Sequence, residues 1–243
     1  MDKFLIEGPC KIKGKVSVEP SKNSSLPILA ATLLFDKPVI IKNLPRVKDI
    51  DTMITLLQSL GSKVTFSKDK RNVQIINKKK MRTFASYSIV KKMRGSFLVL
   101  GPLIAKYYNS KCSLPGGCNL GARPVNYHLQ ALKKLGMNYH LRDGYILAKS
   151  KGKLKGTTIN FPKISVGATE NAIIAASLAR GKTTLKRCAI EPEIKDLTNF
   201  LNLAGAKIRW SGRTCNIIGV NSLKETKYSV MADRIMAGTY CIA

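Results

Sequence analysis

One phrase of apolar and polar positions occurs three times along the chain. An amphipathic stretch ends each time on a leucine-rich turn and a glycine, at Leu57–Gly61, Leu132–Gly136 and Leu201–Gly205. A glycine just after the last apolar position is typical of a helix C-terminus, where the backbone becomes left-handed. A strand-like segment follows each glycine: Lys63–Phe66, Asn138–Leu141 and Lys207–Trp210. The pattern therefore predicts three repeats of one α/β unit.

The two outer repeats also match each other upstream of this phrase. Ser21–Leu34 and Ser165–Leu178 are each a polar cap followed by a helix of small apolar residues, and Val39–Ile41 and Thr183–Leu185 follow as strands. The middle repeat fits with Val90–Tyr107 as its first helix. Because helices that are apolar on every side belong in a core, we expect helices inside and sheets outside. Each unit is predicted as strand, helix, strand, helix, strand, strand.

The repeats set the expected domain limits. We expect one complete domain over residues 21–232, with units of about 21–88, 89–156 and 157–232. Two pieces flank it: residues 1–20, in which Lys15–Val18 is strand-like, and residues 233–243, which begin a helix.

Charge is the unusual feature of the composition. The 243 residues include 42 Lys and Arg against 14 Asp and Glu, for a formal net charge of +28. Such a chain attracts phosphates, nucleotides, nucleic acid or acidic lipid. The basic runs have few interleaved aromatics and match no nucleic-acid-binding module, so we interpret them as solvated surface and keep nucleic-acid binding as a remote alternative.

The remaining composition predicts a cytoplasmic protein that binds neither membrane nor metal. No apolar run is long enough for a signal peptide or a bilayer span. The six cysteines lack zinc-site spacing, and the two histidines, His128 and His140, fit no metal or triad pattern. We therefore expect reduced thiols and structural histidines.

The loop Leu114–Val125 is the strongest candidate for chemistry. It holds Cys118 ahead of Arg123 and of a helix that is predicted to begin at Pro124. A guanidinium and a helix N-terminus both favour a reactive thiolate. A merely accessible surface cysteine is an equally good interpretation of these residues alone.

Three further turns are candidate anion sites. Lys22 and Asn23 begin a helix, Arg94 lies in the basic turn Lys91–Ser96, and Pro162–Thr169 is the repeat counterpart of the Lys22 turn. Helix N-termini bind anions, and arginine suits phosphate or carboxylate. Solvated basic side chains are the competing interpretation. Repeat symmetry favours one shared anion-facing side.

Together these motifs resemble the UDP-N-acetylglucosamine 1-carboxyvinyltransferase family. The resemblance covers essentially the whole chain and rests on Ser21–Asn23, Met93–Arg94 with Gly101–Leu103, Leu114–Val125, Ser165–Thr169, Glu191–Ile194 and Asp233–Ile235. It implies an inside-out α/β barrel of two domains, each with three βαβαββ repeats. It also implies transfer of an enolpyruvyl group from phosphoenolpyruvate to the 3-hydroxyl of UDP-N-acetylglucosamine, in peptidoglycan synthesis, without metal or organic cofactor.

The resemblance also implies roles for individual residues. Cys118 corresponds to the family's loop thiol, which donates a proton, forms an adduct with phosphoenolpyruvate and is alkylated by fosfomycin. The implied phosphoenolpyruvate contacts are Lys22, Asn23, Arg94 and Arg123. The implied UDP-N-acetylglucosamine contacts are Asn23, Arg94, Arg123, Pro124, Val125, Asn126, Tyr127, Lys163, Ile164, Ser165, Val166 and Gly167.

The departures from the family concern length and two positions. The family's second domain, with its aspartate base and a further arginine, is missing, so we expect weak sugar-nucleotide binding and little turnover by this chain alone. Asn126 stands where an aspartate is usual, and Met236 where a glutamate is usual. The alternatives are an inactive binding remnant, or half of a split enzyme whose other half is a separate chain.

Overall fold

The computed structural model describes residues 3, 5, 7–9, 11, 13–116 and 125–243. The helices are α1 Lys22–Ala31, α2 Lys48–Leu60, α3 Tyr87–Val90, α4 Leu100–Tyr107, α5 Asn126–Lys134, α6 Val166–Ala176, α7 Pro192–Leu203 and α8 Arg234–Ile242, with 3-10 turns at Thr32–Leu34 and Arg94–Val99. The strands are β1 Val39–Lys42, β2 Ser62–Phe66, β3 Val73–Asn77, β4 Phe84–Ala85, β5 Asn109–Ser113, β6 Asn138–Arg142, β7 Tyr145–Lys149, β8 Thr158–Asn160, β9 Lys182–Lys186, β10 Lys207–Ser211, β11 Thr214–Ile218 and β12 Thr226–Ser229.

The strands form three sheets that share one topology. Their orders are β12-β1-β3-β2, β4-β5-β7-β6 and β8-β9-β11-β10. In each, three strands are antiparallel, and the remaining one runs parallel to its neighbour. Each sheet together with its two helical segments is one βαβαββ repeat. The predicted α/β class and its three pseudo-symmetric repeats are confirmed.

The first repeat takes its opening strand from the far end of the chain. β12 pairs parallel with β1, from Val39 opposite Thr226 to Lys42 opposite Ser229. The expectation of a strand at Lys15–Val18 is wrong, since these residues belong to no strand or sheet of the structure. Similarly, β4 pairs with β5 in the middle sheet, although it precedes residue 89, the expected start of the middle unit. The sheets therefore divide the chain differently from the expected units, because long-range pairing decides which strand opens each repeat.

The helices fill the space between the sheets, as expected. Residues Ser24–Ala31 of α1 and Ala168–Ala176 of α6 are all buried. α4 packs against α6, and α1 packs against α7. Phe35, after α1, stacks on Phe200 of α7 with ring centroids 5.5 Å apart. The apolar helices thus form the core, and the sheets lie outside them.

The recurring glycines end their helices as predicted. Gly61 follows α2 with φ of +114°, and its N–H donates to the Gln58 carbonyl at 3.0 Å. Gly136 and Gly205 also have positive φ, and each N–H donates to the carbonyl three residues earlier. A side chain with Cβ is strained in this left-handed conformation, which explains glycine at all three positions.

Asp196 joins the elements where the chain enters and leaves the repeat domain. Its buried carboxylate on α7 accepts hydrogen bonds from the Ser24 hydroxyl, from the Tyr228 hydroxyl at 2.5 Å and from the Met231 N–H at 3.3 Å. The Ser21 N–H donates to the Met231 carbonyl at 2.8 Å beside it. One carboxylate therefore connects α7 to the start of α1, to β12 and to the exit segment.

We expect Asp196→Ala to lower the free energy of unfolding by about 2–4 kcal/mol, because it leaves the buried Ser24 hydroxyl without its acceptor and removes the carboxylate hydrogen bonds of the Tyr228 hydroxyl and the Met231 N–H. Urea unfolding at neutral pH measures the change. The matched control is Asp143→Asn, since the Asp143 side chain is 84% exposed. The control should change stability by less than about 0.5 kcal/mol. Equal effects of the two variants would contradict the role given to Asp196.

Candidate active site

A cleft of about 530 Å³ opens where the first turns of α1 and α6 meet the basic turn before α4. Among the sequence-predicted site residues, the cleft brings together Lys22, Asn23, Arg94, Val125, Val166 and Gly167. Asn126, Tyr127, Lys163, Ile164 and Ser165 lie next to these residues in the chain but do not line the cleft. Cys118, Arg123 and Pro124 lie outside the described residues, so their predicted roles stay predictions.

Lys22 reaches the cleft because Ser21 caps α1. The Ser21 hydroxyl accepts from the Ser24 N–H at 3.2 Å, which leaves Lys22 as the first helical residue. Its Nζ lies 3.1 Å from the Asp49 carboxylate, and the two side chains are 41% and 37% exposed. An ion pair this exposed contributes little stability, so an incoming anion can replace Asp49 at small cost. Asp49 is not among the site residues predicted from the sequence.

The first turn of α6 offers backbone donors to the cleft. Ser165 caps the helix, and its hydroxyl accepts from the Ala168 N–H at 3.4 Å. The N–H groups of Val166 and Gly167 come earlier in the helix and have no hydrogen bond within the described part of the chain. Exposed N–H groups and the positive end of the helix dipole together favour an anion.

Glycine at 167 permits the close approach of α5 to α6. A Cβ at this position would lie 3.0 Å from Cε1 and 3.2 Å from Nε2 of His128. These distances are tighter than ordinary contacts, so any side chain would push the imidazole away. The ring edge of His128 is therefore held directly against the N-terminal turn of α6.

His128 itself is a site residue that sequence reasoning missed. It lies on α5, is 8% exposed and lines the cleft. Its ring packs edge-on against Phe97 with centroids 5.2 Å apart, and the Asn171 amide nitrogen lies 3.1 Å from Nδ1. Burial and the nearby Arg94 guanidinium lower the pKa of His128 to about 3. The imidazole is therefore neutral, and no spacing in the sequence could have revealed these partners.

Acidic side chains balance the cations of the cleft. Buried Glu193 accepts from Arg234 Nε at 3.0 and 3.2 Å. Glu170 lies buried on α6, where desolvation and the carboxylates of Glu193 and Glu191 raise its pKa well above the ordinary value. Two neighbouring carboxylates cannot both ionise cheaply in a poorly solvated place. Burial beside these carboxylates therefore favours the protonated form of Glu170. The cations that line the cleft are Lys22, Lys92, Arg94 and Arg234.

Two further observations concern metal sites and membrane-spanning helices. The described residues contain no group of three or more His, Cys, Asp or Glu side chains arranged to hold a metal ion. In the same residues, no helix combines the length and apolar character that a bilayer span requires.

The amino-acid sequence is similar to enolpyruvyl transferases of two substrate classes. Residues 6–243 match the family described as EPSP synthase (3-phosphoshikimate 1-carboxyvinyltransferase). Over 244 aligned residues, the chain is 59% identical to UDP-N-acetylglucosamine 1-carboxyvinyltransferase of Pelagibacter ubique and 44% identical to that of Coxiella burnetii. These alignments cover 100% of this chain but 58% and 56% of the two relatives. The chain thus spans just over half the length of these curated relatives.

Solved structures agree on the fold. The enolpyruvyl transferase NikO of Streptomyces tendae superposes with a TM-score of 0.84 at 20% identity, covering 96% of this chain and 55% of that one. EPSP synthase of Acinetobacter baumannii superposes with a TM-score of 0.77 at 18% identity, covering 94% and 52%. At such identities the likeness establishes the fold alone. Since the family match extends over residues 6–243, the protein belongs to the EPSP synthase family.

Proposed function

We propose that this chain provides one domain of an enolpyruvyl transferase that acts on UDP-N-acetylglucosamine and phosphoenolpyruvate. The enolpyruvyl group would pass to the 3-hydroxyl of the sugar, and phosphate would be released. The observation that carries the proposal is the meeting, in one cleft, of Lys22, Arg94 and the N–H groups of Val166 and Gly167, which have no acceptor among the described residues. The 59% identity to a relative with that name favours UDP-N-acetylglucosamine over other acceptors.

The charges of the cleft suit two anionic substrates. A phosphate that replaces Asp49 at Lys22 gains a full positive charge, since the existing ion pair is half-exposed. Arg94 offers the planar donor set that binds phosphate or carboxylate bidentately. Donors that are already oriented before the substrate arrives stabilise developing negative charge most effectively. These features support phosphoenolpyruvate beside Lys22 and the sugar nucleotide across Arg94 and α6.

Cys118 is the proposed thiol of this reaction, with Arg123 beside it. The described ends of its loop support the assignment. Val125, at one end of the loop, lines the cleft. Gly116, at the other end, lies so close to the Lys91 backbone that a Cβ on residue 116 would lie 2.6 Å from the Lys91 carbonyl oxygen. Among the described cysteines, Cys112, Cys188 and Cys215 are buried, and burial raises the pKa of each thiol. Such thiols are poor nucleophiles.

The proposal also covers how much enolpyruvyl transfer this chain catalyses on its own. The aspartate that the family resemblance assigns as base would lie in the second domain, so we expect 243 residues on their own to bind sugar nucleotide with little phosphate release. A binding remnant and half of a split enzyme both fit that behaviour. Restored phosphate release on addition of a separately encoded second domain would favour the split enzyme. We place the reaction in the cytoplasm, which free, buried thiols favour.

We expect Arg94→Ala to weaken UDP-N-acetylglucosamine binding roughly tenfold or more, because a charge-assisted hydrogen bond contributes about 1.5–3 kcal/mol. Isothermal titration calorimetry measures the Kd. Arg82→Ala is the matched control, since Arg82 is exposed and does not line the cleft. Binding of 3-phosphoshikimate in place of the sugar nucleotide, or equal Kd values for the two variants, would contradict the proposal.

We expect Glu170→Gln to raise the free energy of unfolding relative to the unmodified chain, increasingly so as pH rises above the ordinary glutamate value of 4.5. An unfolded glutamate loses its proton near the ordinary value of 4.5, whereas the folded protein keeps the Glu170 proton to higher pH. The folded state of the unmodified chain is therefore destabilised as pH rises above that value, and glutamine removes that cost.

Urea unfolding at several pH values measures the difference. Glu225→Gln on the exposed surface is the control, with no expected trend. A stability difference for Glu170→Gln that does not vary with pH would show that Glu170 is ionised in the folded protein.

A further inference from the structure

The neighbours of the buried His128 ring determine which ring nitrogen carries the hydrogen of the neutral imidazole. Asn171 Nδ2 lies 3.3 Å from the Phe97 carbonyl oxygen and 3.1 Å from His128 Nδ1. A carbonyl oxygen can only accept, so the amide nitrogen of Asn171 must face it, and the same nitrogen donates its second hydrogen to Nδ1. Nδ1 is therefore an acceptor. A neutral imidazole with Nδ1 as acceptor carries its hydrogen on Nε2.

The charge state of the ring agrees with this tautomer. A protonated imidazole would place a hydrogen on Nδ1, pointing at the hydrogen of Asn171. The lowered pKa of about 3 keeps the ring neutral at ordinary pH. His128 is thus a neutral group with one donor, and Asn171 decides which nitrogen that donor is.

The donor has no partner within the described part of the chain, although the side chain is more than nine-tenths buried. Nε2 lies on the ring edge that faces Gly167, where α6 begins. The N–H groups of Val166 and Gly167 likewise have no acceptor among the residues that the structure describes, and His128, Val166 and Gly167 all line the cleft. Three neighbouring donors that have no acceptor among the described residues thus face one cleft, and this geometry points to a ligand acceptor.

We propose that His128 is a specificity-determining residue, whose Nε2–H donates to a phosphate oxygen of the sugar nucleotide seated on the first turn of α6. Asn171 is its positioning residue, because it fixes the tautomer without touching the ligand. The inference rests on the proposed function, which supplies the nucleoside diphosphate. A neutral N–H group binds an acceptor that lies along its N–H direction, whereas a charged side chain attracts any anion nearby. The Nε2–H group therefore selects an acceptor at one position.

Two substitutions of His128 separate ligand binding from structure. In His128→Asn, the shorter amide can still accept from Asn171 at the position of Nδ1 but offers nothing at the position of Nε2. In His128→Gln, the longer amide can donate at the position of Nε2. Titration calorimetry with UDP as the probe compares both with the unmodified chain, and uridine serves as the probe that lacks phosphate.

We expect His128→Asn to weaken UDP binding roughly tenfold, His128→Gln to recover most of that affinity, and uridine binding to change little in either. A purely structural histidine predicts the reverse order, with Gln worse than Asn, and that result would overturn the inference. So would a loss that is equal for UDP and uridine. If the unmodified chain binds no UDP at all, the proposed function fails first, and the donor role fails with it.

The tautomer can be read without any ligand. The chain has two histidines, and His140 is exposed, so a long-range proton–nitrogen NMR spectrum of histidine-labelled protein contains one buried ring. We expect His128 to be neutral with its hydrogen on Nε2, and UDP to shift the Nε2 resonance. In Asn171→Ala the other tautomer should appear, and UDP affinity should fall. A hydrogen on Nδ1 in the unmodified chain would overturn the inference.

Discussion

Two helices that are buried on every side constrain the whole molecule. Every residue of α1 from Ser24 and of α6 from Ala168 is buried, so the three sheets must surround these helices. A buried helix can contact solvent only at its ends, where its unbonded backbone groups need partners. Because α1 and α6 occupy equivalent places in two repeats, their N-terminal turns emerge together. The anion-facing cleft is thus a consequence of packing, and Lys22 and Gly167 lie at it for that reason.

The closure of the domain depends on polar contacts at the same end of α1. Asp196 binds the Ser24 hydroxyl on α1 and the Tyr228 hydroxyl on β12, two groups far apart in sequence. The exit segment lies beside the entry segment, since the Asp233 N–H donates to the Glu19 carbonyl at 2.8 Å. Arg234 follows directly and binds Glu193 at the cleft. The segment that closes the repeat domain therefore also forms part of one cleft wall.

Local patterns predicted the parts of this structure that local physics determines. The glycine caps, the apolar helices α1 and α6 and the βαβαββ order are all visible in short windows of sequence, because periodicity and backbone conformation are local properties. The parallel strand β12 and the Asp196 contacts were not predictable, since each joins residues that only the tertiary fold brings together. The same holds for the raised pKa of Glu170 and for the contacts of His128 with Asn171 and Phe97. The role of Cys118 is inferred from the sequence alone and stays a prediction.

The net charge of +28 does not by itself locate the site, because a second cleft is also basic. That cleft, between Pro45 and Lys70, is lined by Arg46, Lys48, Lys68 and Lys70. A crystal structure of the chain with UDP-N-acetylglucosamine distinguishes the two most directly. Our account predicts the diphosphate on the first turn of α6, within hydrogen-bond distance of Gly167 N–H and His128 Nε2. Density for the nucleotide in the Pro45–Lys70 cleft, with the α6 turn vacant, would contradict it.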